Sequence, residues 1–505
     1  MFKRLASPNE RRTISREDLG FYNALVIAAI YEIENDEIDI SSAQSFIPPL
    51  TQCILEHPFL GVVVKDKHTE KPSFEGVPSI DLNNHILILH NDQIGHDSEN
   101  KTLEKILLPI LDRPWPADIP PWRIIILPLA PPEDNPSATR CFIAFSFSHT
   151  LGDGMSGLAF HRTFLHAWHK HPENKTKHPS SSFLITPSTK PLPEPFDTPS
   201  RLPISWSFLL TPLIAAYLPN FLNKLLGLHA SASLLNPGTW TGSPMFLDPS
   251  VPNNTRLRLL EVEAPLVQSA LRASRAHGTK LTGTLHQMIV RALNKALPDS
   301  DNITNFASGT AIDMRGSIGV PAYTWGLYVS AHFDIHPRPQ KQQQPQQQPA
   351  VSESESSESS PSPIPTEMWT SAARITKSLA ECAVKLQDQS VGLLRYAPSI
   401  RGWMAKMIGA RRDCSYRISN LLSFDGGSRD RGVRITKAVF ATPADVTGSP
   451  LAVDVVSVKG GSLVCAVGWQ VGALGMGVEE EGAVVDVVCE SIREDFEELK
   501  GWVSE

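Results

Sequence analysis

The sequence is organised around one stretch, Ser146-Phe-Ser-His149-Thr-Leu-Gly-Asp153-Gly154. An apolar run over residues 140–148 predicts a β-strand that enters this stretch, and residues 155–169 predict a helix that leaves it. The two glycines bracket the aspartate in a tight turn, where positive φ is tolerated. The pattern therefore predicts a histidine at the point where a strand turns into a helix.

His149 is the candidate for chemistry in this stretch. Side chains alternate between the two faces of a strand, and His149 continues the odd-numbered, apolar face. That face is formed by Cys141, Ile143, Phe145 and Phe147. An imidazole that points inward there can be shielded and held in one tautomer, as a general base requires. The alternative is a core histidine at a strand end, with Asp153 acting only as a turn former.

Length and composition limit the class of protein. The 505 residues are too many for one ordinary core, so at least two domains are expected. The net charge of -7 is mild and no basic stripe with interleaved aromatic residues is present, so nucleic-acid binding is not expected. The six cysteines form no C-x-x-C pair, which favours free thiols in a reducing, intracellular compartment.

Strands and helices are mixed along the chain without the regular alternation of a doubly wound sheet. The predicted class is therefore α+β with mixed sheets. We expect an N-terminal domain over 1–200, an apolar helical connector over 201–235 and a C-terminal domain over 236–505. A run of Gln, Pro, Ser and Glu over 337–365 cannot bury a core and predicts a disordered insertion in the second domain.

Residues 205–228 form the most apolar region of the chain. Pro212 and Pro219 interrupt it, so it falls short of the roughly 20 unbroken apolar residues that a membrane span needs. A buried or partly lipid-facing helical hairpin is the favoured interpretation, and peripheral membrane contact is the alternative. The sequence thus predicts a cytoplasmic protein, with contact at an intracellular membrane left open.

Local patterns predict the elements at the two ends of the chain. Residues 1–13 are polar and basic and are expected to form a frayed arm. From Ser15 to Ile30 the apolar residues recur at helical spacing, which predicts a helix. Four strands joined by short turns are expected near the C-terminus, at 416–423, 433–441, 451–458 and 463–470.

Other clusters do not indicate a metal or phosphate site. Four histidines after the central stretch lack i,i+4 ligand spacing, and no Glu completes an H-E-x-x-H pattern, so no metal is expected. These are His161, His166, His169 and His171. The glycines of 472–477 lack the spacing and the following lysine of a phosphate-binding loop.

The stretch from His149 to Gly154 resembles the H-x-x-x-D-G motif of the chloramphenicol-acetyltransferase-like superfamily. This superfamily contains the plant BAHD acyltransferases, the condensation domains of peptide synthetases and the fungal alcohol acetyltransferases. The similarity is closest to the last group and covers nearly the whole chain. Arg16–Tyr31 resembles the opening helix, Leu281–Arg315 a helix and a strand ending in Asp-x-Arg, and Ile418–Leu421 the later Ser-Asn strand.

The resemblance implies two similar domains with a tunnel between them. An acyl-CoA, most simply acetyl-CoA, would enter from one side as co-substrate, and a small-molecule alcohol or amine acceptor from the other. No permanently bound cofactor is implied, and a monomer is expected. The implied reaction is O-acetylation of an alcohol, as in fungal ester or secondary-metabolite formation.

The resemblance also implies which residues carry the reaction. His149 would act as the general base for direct attack on the thioester, without an acyl-enzyme. Ser419, together with Asn420, is the candidate donor to the oxyanion. Leu422 follows where fungal relatives often have a glycine nearby, a departure that concerns the oxyanion donor and not the base.

Asp153 is expected to be a structural brace and not a group that touches substrate. In the superfamily the matching carboxylate pairs with an arginine. Arg315 is the first candidate for this partner and Arg16 the second, while Gly154 serves the geometry of the turn. The alternative for Arg315 is a solvated charge at a strand end.

Three other functions stay open. One is N-acylation, another is condensation-type chemistry on a carrier-protein thioester, and the third is binding without catalysis. Ser148 stands where condensation domains have a second histidine, which argues against condensation. The D-F-G-W-G motif of the plant enzymes is absent, and Trp325-Gly326 is not a substitute for it.

Overall fold

A computed structural model describes most of the chain. The described residues are 2–35, 38–90, 97–133, 135–169, 182–217, 235–248, 250, 254–300, 302–339 and 364–500. Within them no helix is long and apolar enough to cross a membrane.

Helices and strands alternate irregularly along these residues. The α-helices are α1 (Pro8–Asp18), α2 (Ile47–Glu56), α3 (Glu99–Leu111), α4 (Gly154–His169), α5 (Trp206–Tyr217), α6 (Ala264–Ala276), α7 (Leu281–Ala296), α8 (Thr366–Val384), α9 (Ile400–Ala405) and α10 (Val478–Glu498). Short 3₁₀ segments occur at Ala43–Phe46, Pro58–Gly61, Leu82–Asn84, Gly316–Ile318, Ser390–Tyr396 and Arg429–Arg431.

The strands build two large sheets and two small ones. The strands are β1 (Lys3–Leu5), β2 (Leu25–Ile33), β3 (Val62–Lys65), β4 (Ser73–Gly76), β5 (Ile80–Asp81), β6 (Ile86–Ile88), β7 (Trp122–Leu129), β8 (Thr139–Phe147), β9 (Leu184–Ile185), β10 (Thr239–Trp240), β11 (Thr255–Val262), β12 (Asn305–Asp313), β13 (Val329–Pro337), β14 (Tyr416–Phe424), β15 (Val433–Ala441), β16 (Leu451–Val458) and β17 (Leu463–Gln470). The small sheets pair β1-β4-β3 and β5-β9.

β8, the strand that leads to His149, is the middle strand of the first large sheet. Its order is β15-β2-β8-β7-β6, with β6 parallel to β7 and the other neighbours antiparallel. One face packs against α2 and α4, and the other faces α3 and the strands β11 and β17. Because both faces are covered, β8 is buried from Cys141 to Phe147.

The second large sheet has the order β10-β12-β14-β16-β17-β11, with β13 also paired to β12. Its strands β10, β12, β14 and β16 run parallel, while β13, β17 and β11 are antiparallel to their neighbours. Residues of α6, α7, α8 and α10 pack with it in one core. The mixture of helices with mixed sheets confirms the predicted α+β class.

β15 connects the two halves of the chain. Of the four strands expected in sequence near the C-terminus, β14, β16 and β17 lie in the second sheet. β15 instead pairs antiparallel with β2, from Val433 opposite Ile33 to Ala441 opposite Val26. The four predicted strands are therefore present, but they are divided between the two large sheets. The division at 200 and 236 stays a prediction, with the correction that 433–441 completes the first sheet.

The N-terminal arm is ordered, contrary to the expectation for residues 1–13. β1 pairs with β4, and α1 begins directly after Ser7. The Ser7 hydroxyl accepts a hydrogen bond from the Glu10 amide, and the Glu10 carboxylate accepts one from the Ser7 amide. This capping box satisfies two helix-end donors and starts the helix in a polar stretch where apolar periodicity gave no signal.

The helix predicted from Ser15 to Ile30 is also wrong. α1 ends at Asp18, Gly20 has φ +74°, and β2 runs from Leu25 to Ile33. All nine residues of β2 are buried, because both faces of the sheet are covered. A strand of this kind is a continuous apolar run, and such a run fits helical spacing as well as it fits a strand.

The run expected to be disordered lies mostly outside the described residues, but its ends belong to the fold. Pro337 closes β13, and Arg338 Nε donates to Asn294 Oδ1 at 2.7 Å. Ile364 is buried, and Pro365 caps α8. The predicted disordered insertion, 337–365, is therefore too long at both ends, because its first and last residues belong to ordered elements.

The apolar connector begins with α5, and residues 218–234 lie outside the described residues. Trp206, Leu210 and Ile214 follow one another at helical spacing on α5 and are exposed. These three side chains are therefore not buried, and the partly lipid-facing form of the predicted hairpin stays a prediction. Peripheral membrane contact stays a prediction.

Gly157 shows how closely α4 packs on the first sheet. A Cβ at this position would lie 2.1 Å from Cγ1 of Ile27 in β2. Gly157→Ala is therefore expected to lower the free energy of unfolding by about 1–3 kcal/mol in urea denaturation. Gly482 in α10 is the matched helical control, because a Cβ there meets only Arg258 Nη2 at 3.8 Å. Gly482→Ala should raise stability by up to about 1 kcal/mol, and equal losses in both variants would contradict this packing.

Candidate active site

His149 lies in the turn just beyond the end of β8 at Phe147. Its Nδ1 is 2.8 Å from the carbonyl oxygen of Gly152. A carbonyl can only accept, so Nδ1 carries the proton and Nε2 keeps its lone pair. The turn, and not strand alternation, therefore fixes the tautomer and the orientation of the ring.

The surroundings of His149 keep it neutral. Burial lowers its pKa to about 4; the Gly152 carbonyl opposes this, and the positive charges of Arg16 and Arg12 add to it. The Tyr22 ring lies against the imidazole, with centroids 5.6 Å apart. The residue is nevertheless partly exposed, so another molecule can reach it. At neutral pH it therefore offers an unprotonated nitrogen, which a general base needs.

Asp153 points away from this nitrogen and into the protein. Its Oδ1 accepts from Arg315 Nη2 at 2.8 Å and from the Ser156 amide at 3.1 Å. Its Oδ2 accepts from the Tyr328 amide at 2.9 Å. Asp153 is 1% exposed and Arg315 0%, so the ion pair is fully buried. Of the two candidate arginines, Arg315 is the one placed against Asp153.

Arg315 is held on several sides. Its Nη1 donates to Asp313 Oδ1 at 2.8 Å and its Nε to the Thr324 carbonyl at 2.9 Å. Burial alone would lower the pKa of Arg315, but the carboxylates of Asp153 and Asp313 together outweigh burial and the pKa is raised. The guanidinium therefore stays charged. It is not a solvated strand-end charge.

The second candidate, Arg16, takes part in a different buried pair. Its Nη2 lies 2.6 Å from Asp445 Oδ1, and its guanidinium carbon lies 4.2 Å from the centroid of the Tyr22 ring. It thereby braces the aromatic ring that lies against His149. Sequence patterns gave no signal for this contact, because Arg16 and Asp445 are 429 positions apart.

The two glycines of the turn are required by close approach and not by positive φ. Neither has a φ in the left-handed region. A Cβ on Gly154 would lie 2.7 Å from Cδ2 of Leu421, and one on Gly152 would lie 2.5 Å from Oγ of Ser156. The turn does not use the positive φ that glycine would tolerate, and the contact between Gly154 and Leu421 brings β14 of the second sheet directly against the turn.

Ser419 and Asn420 precede Leu421 on β14, and their side chains have different surroundings. The Asn420 side chain is held on the strand face of Thr282, since Nδ2 donates one of its two hydrogens to Thr282 Oγ1 at 3.1 Å and Oδ1 accepts from the Leu422 amide at 2.8 Å. Ser419 Oγ accepts from Arg417 Nη1 at 3.3 Å, which leaves its own hydrogen free to donate. Strand alternation places Ser419 on the face of Leu421, the residue that contacts Gly154.

The loop after β12 was missed as part of the site. Trp325 Nε1 donates to the Leu151 carbonyl at 2.7 Å, and the Gly326 carbonyl accepts from the Asp153 amide at 3.1 Å. From the sequence, Trp325-Gly326 is considered only as a possible substitute for the plant D-F-G-W-G motif and is assigned no role in the site. Its position ten residues after the Asp-x-Arg of the second half was the available signal.

A metal centre has no support in the described part of the chain. There, no group of three or more His, Cys, Asp or Glu side chains is arranged to hold an ion. His161, one of the four clustered histidines, bonds Tyr31 Oη at 2.8 Å and the Ile27 carbonyl at 2.8 Å. It is a core histidine.

Curated proteins with sequence similarity are named as acetyltransferases. The probable alcohol acetyltransferase crmB of Aspergillus fumigatus is 22% identical over 471 residues, which cover 90% of this chain and 92% of crmB. The probable alcohol acetyltransferase FCK4 of Fusarium pseudograminearum is 22% identical over 464 residues, or 90% of this chain and 86% of FCK4. The predicted resemblance to alcohol acetyltransferases is confirmed. No protein-family model matches the chain.

Solved structures share the fold along almost the whole chain. TRI3 trichothecene 15-O-acetyltransferase from Fusarium sporotrichioides superposes with a TM-score of 0.61 at 13% identity, over 98% of this chain and 95% of TRI3. This is the two-domain acyltransferase and condensation-domain fold. The starter condensation domain of rhizomide synthetase was solved with C8-CoA and Leu-SNAC. It superposes with a TM-score of 0.57 at 11% identity, over 98% of this chain and 94% of the condensation domain.

The Asp153–Arg315 pair can be tested by removing one partner. Arg315→Gln leaves a buried carboxylate without its cation, so the free energy of unfolding should fall by about 3–5 kcal/mol. Lys295→Gln is the control, because its pair with Glu494 is exposed on both sides and is expected to contribute about 0–1 kcal/mol. Thermal and urea unfolding of both variants would measure the difference. A loss for Arg315→Gln no larger than that of the control would contradict a bracing role.

Proposed function

We propose that this protein is a CoA-dependent acyltransferase that moves an acetyl group from acetyl-CoA to the hydroxyl of a small-molecule alcohol. The observation that carries the proposal is the free Nε2 of His149, set by the hydrogen bond from Nδ1 to Gly152. The similarity to proteins named alcohol acetyltransferases supports the choice of donor and acceptor class.

In the proposed mechanism His149 Nε2 takes the proton of the acceptor hydroxyl. The oxygen then attacks the thioester carbonyl carbon directly, and the carbonyl oxygen becomes an oxyanion. The intermediate collapses, the carbon–sulfur bond breaks, and the CoA thiolate receives the proton from His149. Nothing is bonded to the enzyme at any stage. The residue thus acts first as a general base and then as a general acid.

The oxyanion needs a donor, and Ser419 fits better than Asn420. Ser419 keeps a free hydroxyl hydrogen and lies on the strand face that meets the turn of the motif. Asn420 keeps one amide hydrogen, but strand alternation places it on the opposite face, where it bonds Thr282. A hydroxyl aimed at the developing charge would stabilise the transition state more than the ground state.

The shared fold also suggests how the two substrates would reach His149. Donor and acceptor would reach His149 from opposite ends of a tunnel between the two halves, in a monomer. Acetyl-CoA would be a co-substrate and no cofactor would stay bound. All six cysteines are free thiols, which fits the predicted cytoplasmic location.

Condensation-type chemistry or amide formation is the second candidate, because condensation domains share the fold. Ser148, at the position of their second histidine, bonds the Glu17 carboxylate and lies 2.7 Å from Thr150 Oγ1. A hydroxyl held in this way supplies no second imidazole. Acetyl transfer from free acetyl-CoA to an alcohol panel, followed by mass spectrometry, separates this candidate and the non-catalytic one from the proposal.

His149→Ala is expected to reduce acetyl transfer to background while the protein stays folded. The reason is that no other group in the turn can take the acceptor proton. His68→Ala is the matched control, because His68 is exposed and lies in the loop between β3 and β4. Product formation is followed by mass spectrometry and folding by circular dichroism. Wild-type transfer by folded His149→Ala would exclude the mechanism.

Ser419→Ala and Asn420→Ala together test the oxyanion donor. Loss of one such donor typically lowers kcat about 10²–10³-fold, which is expected for Ser419→Ala with little change in KM. Asn420→Ala should keep kcat near wild type, because Asn420 lies on the strand face that contacts Thr282 and not on the face of Leu421. Steady-state kinetics with acetyl-CoA measures both. The reverse order of effects would assign the role to Asn420.

A further inference from the structure

A cavity lies on the face of the first sheet that is turned away from α4. It has a volume of about 290 Å³ and is enclosed by α3, β6, β7 and the end of β8. This is close to the lower end of the sizes typical of small-molecule sites, about 300–1,000 Å³. None of its lining residues belongs to the His149 site described above.

Ser146 provides an unpartnered polar group in this cavity. Its side chain is fully buried, and Oγ has no hydrogen-bond partner. Buried hydroxyls are nearly always hydrogen-bonded, so an orphaned one that lines a cavity points to a ligand. The register places Arg123 of β7 directly opposite Ser146, so the two side chains leave the same face of the sheet.

Arginines at the cavity add positive charge that is not neutralised. Arg123 and Arg113 both line it, and neither is paired with a carboxylate among the residues that the structure describes. The Arg123 guanidinium instead lies over the Trp115 ring, 5.0 Å from its centroid. Burial and the charge of Arg113 both lower the pKa of Arg123, as expected for two like charges held close together. The third cation, Lys105, is already paired with Asp97.

The rest of the lining is mainly aliphatic. Leu87, Leu89, Ile106, Ile110 and Ile125 contribute apolar walls from both the sheet and α3. An occupant that satisfies all these groups has an apolar chain and one anionic end. Two planar guanidinium forks match a planar carboxylate, which can also accept from a hydroxyl.

We propose that this cavity binds an aliphatic carboxylate of medium chain length. The carboxylate accepts hydrogen bonds from Ser146 Oγ and from the guanidinium groups of Arg123 and Arg113. The chain lies against the aliphatic walls beneath α3. The site is separate from acyl transfer at His149, and its existence does not depend on the proposed function.

Isothermal titration calorimetry with octanoate tests this site on the full chain. Octanoate should bind saturably at one site, and octanol, which lacks the charge, should bind about tenfold more weakly or worse. Absence of saturable octanoate binding to the folded protein would overturn the proposal. Equal binding of octanol would overturn the anionic specificity on which it rests.

Variants of the polar lining residues test where the carboxylate of octanoate binds. Ser146→Ala and Arg113→Gln should each weaken octanoate binding about tenfold, since each removes a hydrogen bond to a charged group. Lys101→Gln is the control, because Lys101 is exposed on α3 and does not line the cavity. Unchanged binding in Ser146→Ala and Arg113→Gln, with circular dichroism showing that both are folded, would overturn the proposal.

A competition experiment separates this site from the catalytic one. His149→Ala should bind octanoate as tightly as wild type, whether or not the protein proves to be an acyltransferase. Saturating CoA should leave octanoate binding unchanged. Displacement of octanoate by CoA would make the cavity part of the donor path and overturn its assignment as a second site.

Discussion

The buried pair between Asp153 and Arg315 is the interaction on which the rest of the site depends. Burying two opposite charges costs several kcal/mol per ion in desolvation, which only good geometry and further hydrogen bonds offset. Here the carboxylate also accepts from the amides of Ser156 and Tyr328, and the guanidinium also donates to Asp313 and Thr324. The pair therefore contributes more to fixing the position of the turn around Asp153 than to the net stability of the fold.

That fixed position joins the two halves of the chain. Asp153 directly precedes α4 after the first sheet, whereas Arg315 follows β12 of the second. The C-terminal half also reaches across the join, since β15 completes the first sheet and Leu421 packs against Gly154. Because residues of both halves contact the turn, the carbonyl of Gly152 stays at hydrogen-bond distance from His149.

The electrostatics of the site follow from the same packing. Arg16, paired with Asp445, and the Tyr22 ring crowd the imidazole, and burial keeps it uncharged. The result is a neutral imidazole that remains partly accessible. A charged histidine at the same position would lack the lone pair that the proposed mechanism uses.

Local sequence patterns predicted the parts of the site that lie close together in the chain. The strand, turn and helix around His149 are set within thirty or so residues, and periodicity is a signal on that scale. Arg315 was predicted only through the family resemblance, and the pairing of Arg16 with Asp445 was not predicted at all. Contacts between residues hundreds of positions apart depend on packing that no local pattern encodes.

The errors in the fold have the same origin. β2 was predicted as a helix because a strand buried on both faces loses its alternation, and burial on both faces is a property of the assembled sheet. The crossing of β15 to β2 has no local signal in the sequence, although the connections on both sides of β15, 425–432 and 442–450, are longer than the roughly 2–5 residues that are usual in a hairpin loop. The capping box at Ser7 and Glu10 was visible in the sequence and would have placed α1 correctly.

The most direct test of the account is the pH dependence of kcat/KM for acetyl transfer. Because the pKa of His149 is lowered to about 4, the base stays unprotonated as the pH falls through the usual histidine range, and kcat/KM should remain level down to about pH 5. Circular dichroism must accompany the measurement, since other buried histidines, including His57 and His85, also have lowered pKa values. A fall in kcat/KM near pH 6.5 with the protein still folded would contradict the account.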